Sequence, residues 1–216
     1  MKSFPHLKFE TAEWNKNYLV AGIDEVGRGS FAGPLVAAGV ILKPITDSST
    51  LKYLFSFKIN DSKLVTKRNR EMIAKCVQEL ILFSTVQYIS TDIINDLGIG
   101  TANKMAFQRV ADDILSKVQS PKTNGIIFLT DAFKIPEVSV DKQKNIIRGD
   151  STSVSIALAS IIAKVNRDTY MEKLGLEFPQ YAFEKHKGYG TPLHRQMIKL
   201  HGASPHHRTE FIKNYI

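Results

Sequence analysis

The chain has 216 residues, 43% of them hydrophobic and 23% charged, with 29 Lys and Arg against 21 Asp and Glu for a formal charge of +8. This is enough for one large domain with a proper core and is the balance of an ordinary soluble globular protein; the basic surplus admits a polyanionic partner without requiring one. A single cysteine, Cys76, excludes an intramolecular disulfide, and no window approaches the roughly 18 unbroken apolar residues of a membrane span, so the expected location is cytoplasmic with no membrane partner.

Residues 1–16 read as a polar lead-in that could dock through Phe4, Leu7, Phe9 and Trp14, ahead of a main domain over 17–216. Residues 18–24 and 35–42 are near-continuous apolar runs, which predicts strands covered by helices. Between them lie two adjacent acids, Asp24 and Glu25, then Gly27, Arg28 and Gly29. Residues 44–49 are rich in turn formers. Thr66 can cap a helix running to about residue 83, with a short strand at 86–89. A second helix is predicted over 101–118 from the apolar stripe of Ala102, Met105, Ala106, Val110, Ile114 and Val118.

Residues 125–131 form another apolar run ending in an acid, Asp131, and 146–150 a short extended piece ending in Asp150. Residues 151–171 are apolar enough for a central buried helix, and Pro192 can open a last helix to about His201. Strands and helices alternate, so the expected fold class is α/β, a mixed central sheet flanked by helices with a small helical region at the C-terminal end.

Three apolar segments thus end in acids. Brought together at one sheet edge, Asp24, Glu25, Asp131 and Asp150 would offer hard oxygen ligands suited to magnesium or manganese. Taken singly, each acid reads more readily as a turn or cap residue, and Asp150 before Ser151 as a helix N-cap. Adjacent strand residues point to opposite faces, so the acid pair can share a site only where the strand ends or bulges, and residues 26–27 are the expected place. Five histidines, His186, His194, His201, His206 and His207, invite a zinc reading, but no paired cysteines or HExxH pattern accompany them.

The ordered set of Asp24-Glu25-Val26-Gly27-Arg28-Gly29, Asn60-Asp61-Ser62-Lys63, Leu129-Thr130-Asp131, Arg148-Gly149-Asp150, residues 159–168, His186-Lys187-Gly188-Tyr189 and His207-Arg208 resembles the type 2 ribonucleases H, specifically bacterial ribonuclease HII. The Gly-Arg-Gly sequence favours that branch over ribonuclease HIII. The resemblance implies a ribonuclease H-like fold and hydrolysis of RNA in RNA–DNA hybrids. It also implies incision 5′ to single ribonucleotides in duplex DNA, leaving 3′-hydroxyl and 5′-phosphate ends. By the same resemblance, Asp24, Glu25, Asp131 and Asp150 would hold two Mg2+ or Mn2+ ions. Gly27, Arg28 and Gly29 would read the ribonucleotide, Tyr189 would stack on its sugar, and Asn60, Ser62 and Lys63 would contact phosphates. Lys164, Lys187 and Arg208 are further phosphate candidates. The expected partners are the hybrid and the ribonucleotide-containing duplex. A monomer with no obligate protein partner is expected, and no clamp-binding tail motif follows Arg208, which leaves a replication partner open.

Overall fold

The computed structural model describes residues 4–57, 59, 62, 65–119 and 121–216. Its centre is a mixed five-stranded sheet made of β1 (Leu19–Val26), β2 (Leu35–Leu42), β3 (Ile81–Ile89), β4 (Ile126–Asp131) and β5 (Gln143–Ile146), in the order β3-β2-β1-β4-β5. The β1–β2 and β2–β3 pairs are antiparallel, whereas β4 runs parallel to both β1 and β5. Helix α4 (Thr91–Lys117) covers one face and α5 (Val154–Glu177) the other. Every residue of β2 is buried, as its unbroken apolar run predicts for a strand sandwiched between helices.

The two faces separate cleanly by strand parity. Ala21, Ile23, Leu35 and Ala37 pack with Phe107, Val110 and Ile114 of α4. Val26, Val36, Ala38 and Val40 pack with Leu158, Ile161 and Ile162 of α5. At Gly22, on the α5 face, a Cβ would lie 2.2 Å from the Ser155 backbone carbon, so only glycine lets α5 lie this close to β1. Ser153 caps α5, its hydroxyl accepting from the Ile156 N–H.

Several boundaries differ from expectation. The helix from Thr66, α3 (Lys67–Cys76), stops well short of residue 83; a 3₁₀ turn follows, and β3 begins at Ile81 because pairing with β2 claims residues 81–89. An additional helix, α2 (Ser48–Ser56), is capped by Asp47 where the turn-rich stretch ends. Helix α4 starts ten residues before the predicted 101, capped by Ser90 and kinked at Gly98, whose φ of 76° breaks the apolar stripe that pattern reading relies on. Residues 146–150 are not one extended piece: β5 ends at Ile146, Arg148 is left-handed, and Asp150 lies in a 3₁₀ turn of residues Gly149–Ser151.

The N-terminal segment carries α1 (Lys8–Trp14), which docks with Leu7, Glu10 and Glu13 buried. Short helices α6 (Phe183–His186), α7 (Pro192–His201) and α8 (Thr209–Ile212) make the C-terminal helical region, anchored on Met171, Leu174, Tyr181 and Phe183. Among the described residues no helix is long and apolar enough to cross a membrane.

Candidate active site

Pairing between β1 and β4 ends at Ile23 opposite Thr130, while β1 stays paired to β2 through Val26. Asp24 and Glu25 therefore lie on regular strand, hydrogen-bonded on the β2 side only, where the two parallel strands part. The expected break comes just after them, at Gly27, whose φ is +94°. The pleat does what it must: Asp24 shares the α5 face with Val26, and Glu25 the α4 face with Ile23.

Asp24 is 5% exposed. Burial, then the charges of Glu25 and Asp131, raise its pKa well above the ordinary carboxylate value, and a hydrogen bond from Ser160 on α5 and one from the Glu25 N–H only partly offset this. Asp131 ends β4 and accepts a 2.7 Å bond from the Gly149 N–H, which ties it to the turn carrying Asp150. Asp150 is buried and accepts from the Ser151 hydroxyl at 3.1 Å. The structure thus makes Asp24, Glu25 and Asp131 electrostatic neighbours and links Asp131 to the Asp150 turn. Among the described residues, however, no three carboxylates, histidines or cysteines are gathered as a ready set of metal ligands. The donors fit a hard divalent cation nonetheless: they are carboxylate oxygens, and the repulsion that raises Asp24 is the repulsion a cation relieves.

The glycine turn after the acids is fastened from below. A Cβ on Gly27 would fall 2.1 Å from the Arg167 side chain, which is fully buried beneath it. Arg167 donates to the carbonyls of Pro34 (2.9 Å), Ala32 (3.0 Å) and Lys187 (2.8 Å). Arg208 donates to the Gly33 carbonyl twice and to that of Arg28 at 3.0 Å. Burial lowers the pKa of both guanidiniums, that of Arg208 to about 9, with the charge of Arg167 contributing. Arg208 is wholly buried, so it shapes the turn and does not meet a phosphate directly. Arg28 and Gly29 are exposed, with the Arg28 guanidinium 4.4 Å from the Phe133 ring centre.

The Tyr189 ring lies 5.3 Å from the Arg167 guanidinium and 5.4 Å from the Lys164 ammonium. Val26, Ser62, Arg70, Lys164 and Tyr189 line a cleft of about 310 Å³. Ser62 is buried, and its hydroxyl lies 2.9 Å from that of Ser160, the residue that bonds Asp24. Asn60 and Lys63 lie outside the described residues. The Lys187 ammonium pairs with Glu172 at 2.9 Å.

Sequence reasoning gave no separate role to Ser160 or Arg167, nor an inward role to His186 and His194. Ser160 left a signal, a hydroxyl within an otherwise apolar helix stripe. Arg167 left only its place in the 159–168 stretch, because all its hydrogen-bond acceptors are backbone carbonyls.

Residues 21–214 match the family model described as Ribonuclease HII. A Ribonuclease HII from Acetivibrio thermocellus is 36% identical over 209 residues, covering 96% of this chain and 75% of its own. One from Endomicrobium trichonymphae is 39% identical over 204 residues, covering 94% and 90%. Among solved structures, the ribonuclease HII of Archaeoglobus fulgidus, seen in a complex with PCNA, superimposes with a TM-score of 0.67 at 25% identity, over 91% of this chain and 96% of that one. That complex corrects the expectation of no obligate protein partner, since the relative is held by another protein. A missing tail motif says nothing about surfaces that folded elements can present.

Proposed function

The chain belongs to the ribonuclease HII family, endonucleases acting on RNA–DNA hybrids and embedded ribonucleotides, and from that premise we propose how its own residues select and cut the strand. The family uses divalent metal ions for catalysis. In this chain Asp24, Glu25, Asp131 and Asp150 would hold two such ions, Mg2+ or Mn2+, with Asp24 shared between them. Bound there, the ions supply an activated water and stabilise the leaving oxygen.

The protein's own part is positioning. The backbone of residues 27–29 approaches the minor groove, where the 2′-hydroxyl alone distinguishes a ribonucleotide from its deoxy neighbours. Arg28, exposed and stacked on Phe133, presents its fork to the adjacent phosphate. The Tyr189 ring, backed by two cations, stacks on the sugar, and the cleft lined by Ser62, Arg70 and Lys164 takes a backbone phosphate. Asn60 and Lys63 are assigned to phosphates on the resemblance alone. Scission then falls on the 5′ side of the ribonucleotide and leaves a 3′-hydroxyl and a 5′-phosphate. The catalytic domain is 17–216 with 1–16 as its docked lead-in, and the protein works in the cytoplasm.

One observation carries this reading: Arg167 holds the turn that follows the acid pair, the carbonyl of Lys187 and the face of the Tyr189 ring at once. Acids and reader are thereby built as one unit. The test is cleavage of a duplex carrying one embedded ribonucleotide beside an all-DNA control, with magnesium or manganese. Cutting only the first, on the 5′ side, is expected. Equal cutting of both would point to another nuclease of this fold, and cutting of neither to a nucleic-acid-binding protein; each would overturn the proposal.

A further inference from the structure

Three buried histidines pack beside the backbone of the loop that carries Tyr189. His186 and His194 stack with ring centres 4.2 Å apart and planes inclined by 16°. His194 Nε2 lies 3.0 Å from His207 Nε2, and both residues are almost fully buried. The backbone groups around them have fixed polarity, so the proton positions follow. The Ser204 N–H donates to His207 Nδ1 at 2.9 Å, which leaves that nitrogen bare and places the ring proton on Nε2. His207 Nε2–H then donates to His194 Nε2, and the His194 proton must sit on Nδ1, 3.0 Å from the Tyr189 carbonyl oxygen. The Gly188 N–H donates to His186 Nδ1 at 3.2 Å, and His186 Nε2–H donates to the Tyr181 carbonyl at 2.8 Å.

Each ring carries one proton, and every nitrogen of the three is used. A metal would have to displace a backbone partner or break the bond between His194 and His207. The chain of bonds ends on the loop that carries Tyr189. Lys187 O is held by Arg167, Gly188 N by His186 and Tyr189 O by His194, while Gly188 O accepts from the N–H groups of Phe31 and Ala32.

We propose that His194, fixed as its Nδ1–H tautomer by His207, is a positioning residue that sets the place of Tyr189 against the 27–29 turn. The proposal rests on the reading of Tyr189 as the sugar-stacking residue. His194 touches no substrate. It carries the register of the C-terminal segment at 204–208 into the loop, and a ring displaced by about 1 Å costs up to ~100-fold in rate.

The test compares His194→Ala, His194→Asn and Tyr189→Ala on a duplex with one embedded ribonucleotide. The Asn amide nitrogen stands near the position of Nδ1 and keeps the donor to the Tyr189 carbonyl. Expected is a loss of roughly 10- to 100-fold in kcat for His194→Ala with KM nearly unchanged, and recovery of most of that loss in His194→Asn. The double variant His194→Ala/Tyr189→Ala should be no slower than Tyr189→Ala alone. A folded His194→Ala with wild-type kcat, or losses that multiply in the double variant, overturns the proposal. Wild-type kcat in Tyr189→Ala would instead overturn the reading of Tyr189 and remove what His194 positions. If His194→Ala fails to fold, imidazole nitrogen NMR of the wild type decides. His194 must be protonated at Nδ1 and His207 at Nε2, and the reverse assignment refutes the relay.

Discussion

Gly27 and Gly29 sit two residues apart in one turn, yet adding a methyl group to each should do opposite things. At Gly27 the backbone has φ +94°, and a Cβ would fall 2.1 Å from Arg167 Nε, a side chain locked to three carbonyls. Gly27→Ala therefore costs about 1–2 kcal/mol for the left-handed backbone. Displacing a packed side chain adds about 1–3 kcal/mol. The total of roughly 2–5 kcal/mol lowers Tm by about 5–15 °C for a chain this size. At Gly29 a Cβ meets nothing within 4 Å, and the residue is exposed. Gly29→Ala should change stability by no more than about 0.5 kcal/mol. On the proposed reading its methyl group would occupy the approach to the minor groove, and losing one hydrogen bond to the 2′-hydroxyl there would cost about 1–3 kcal/mol, or roughly 5- to 150-fold in cleavage at the ribonucleotide. Thermal melting and single-ribonucleotide cleavage, run on both variants, separate the two effects. If Gly29→Ala melts several degrees lower, or cuts as well as wild type, the division between a supported glycine and a reading glycine is wrong.

Asp24→Asn should abolish cutting, leave hybrid binding largely intact and raise Tm or leave it unchanged, because it removes a buried charge that Glu25 and Asp131 oppose; near-wild-type turnover would take Asp24 out of the metal site. Burial lowers the pKa of His194 to about 3 and of His207 to about 4, with like charges on neighbouring histidines contributing. Their folded pKa values lie below the unfolded value, so their stabilisation is present above about pH 6.5 and lost as the pH falls through about 4 for His207 and about 3 for His194. Melting in the Asp24→Asn background, free of the opposite contribution of Asp24, should show Tm falling steadily from about pH 6.5 to 4.5, and a flat profile would refute neutral burial. Glu10 Oε1 accepts from the hydroxyls of Ser153 (2.6 Å) and Ser155 (2.7 Å) and from the Ser155 N–H (2.9 Å). Glu10→Ala orphans these buried donors and should cost about 2–4 kcal/mol in chemical denaturation, whereas a change under about 0.5 kcal/mol would show that α1 is not anchored there.

The two apolar strands around the acids were legible because each is buried on both faces, and a continuous apolar run has few other places in a fold. The acids at strand ends were legible for the converse reason, since a carboxylate there has no core partner to explain it. Asp150 was visible as an acid but not as part of a turn, because left-handed Arg148 gives no sign in its side chain. Residues 81–83 were given to a helix and 91–100 to no element, where two periods compete: a strand edge continuing from a helix, and a helix broken by Gly98. What stayed hidden has a common cause. Arg167, His186 and His194 all bond to main-chain groups, and the main chain is the same at every position. A salt bridge leaves two complementary letters in a sequence; an arginine bound to three carbonyls leaves one. The candidate acids and glycines were therefore visible in the sequence, while the scaffold that fixes their geometry became visible only once the chain was folded.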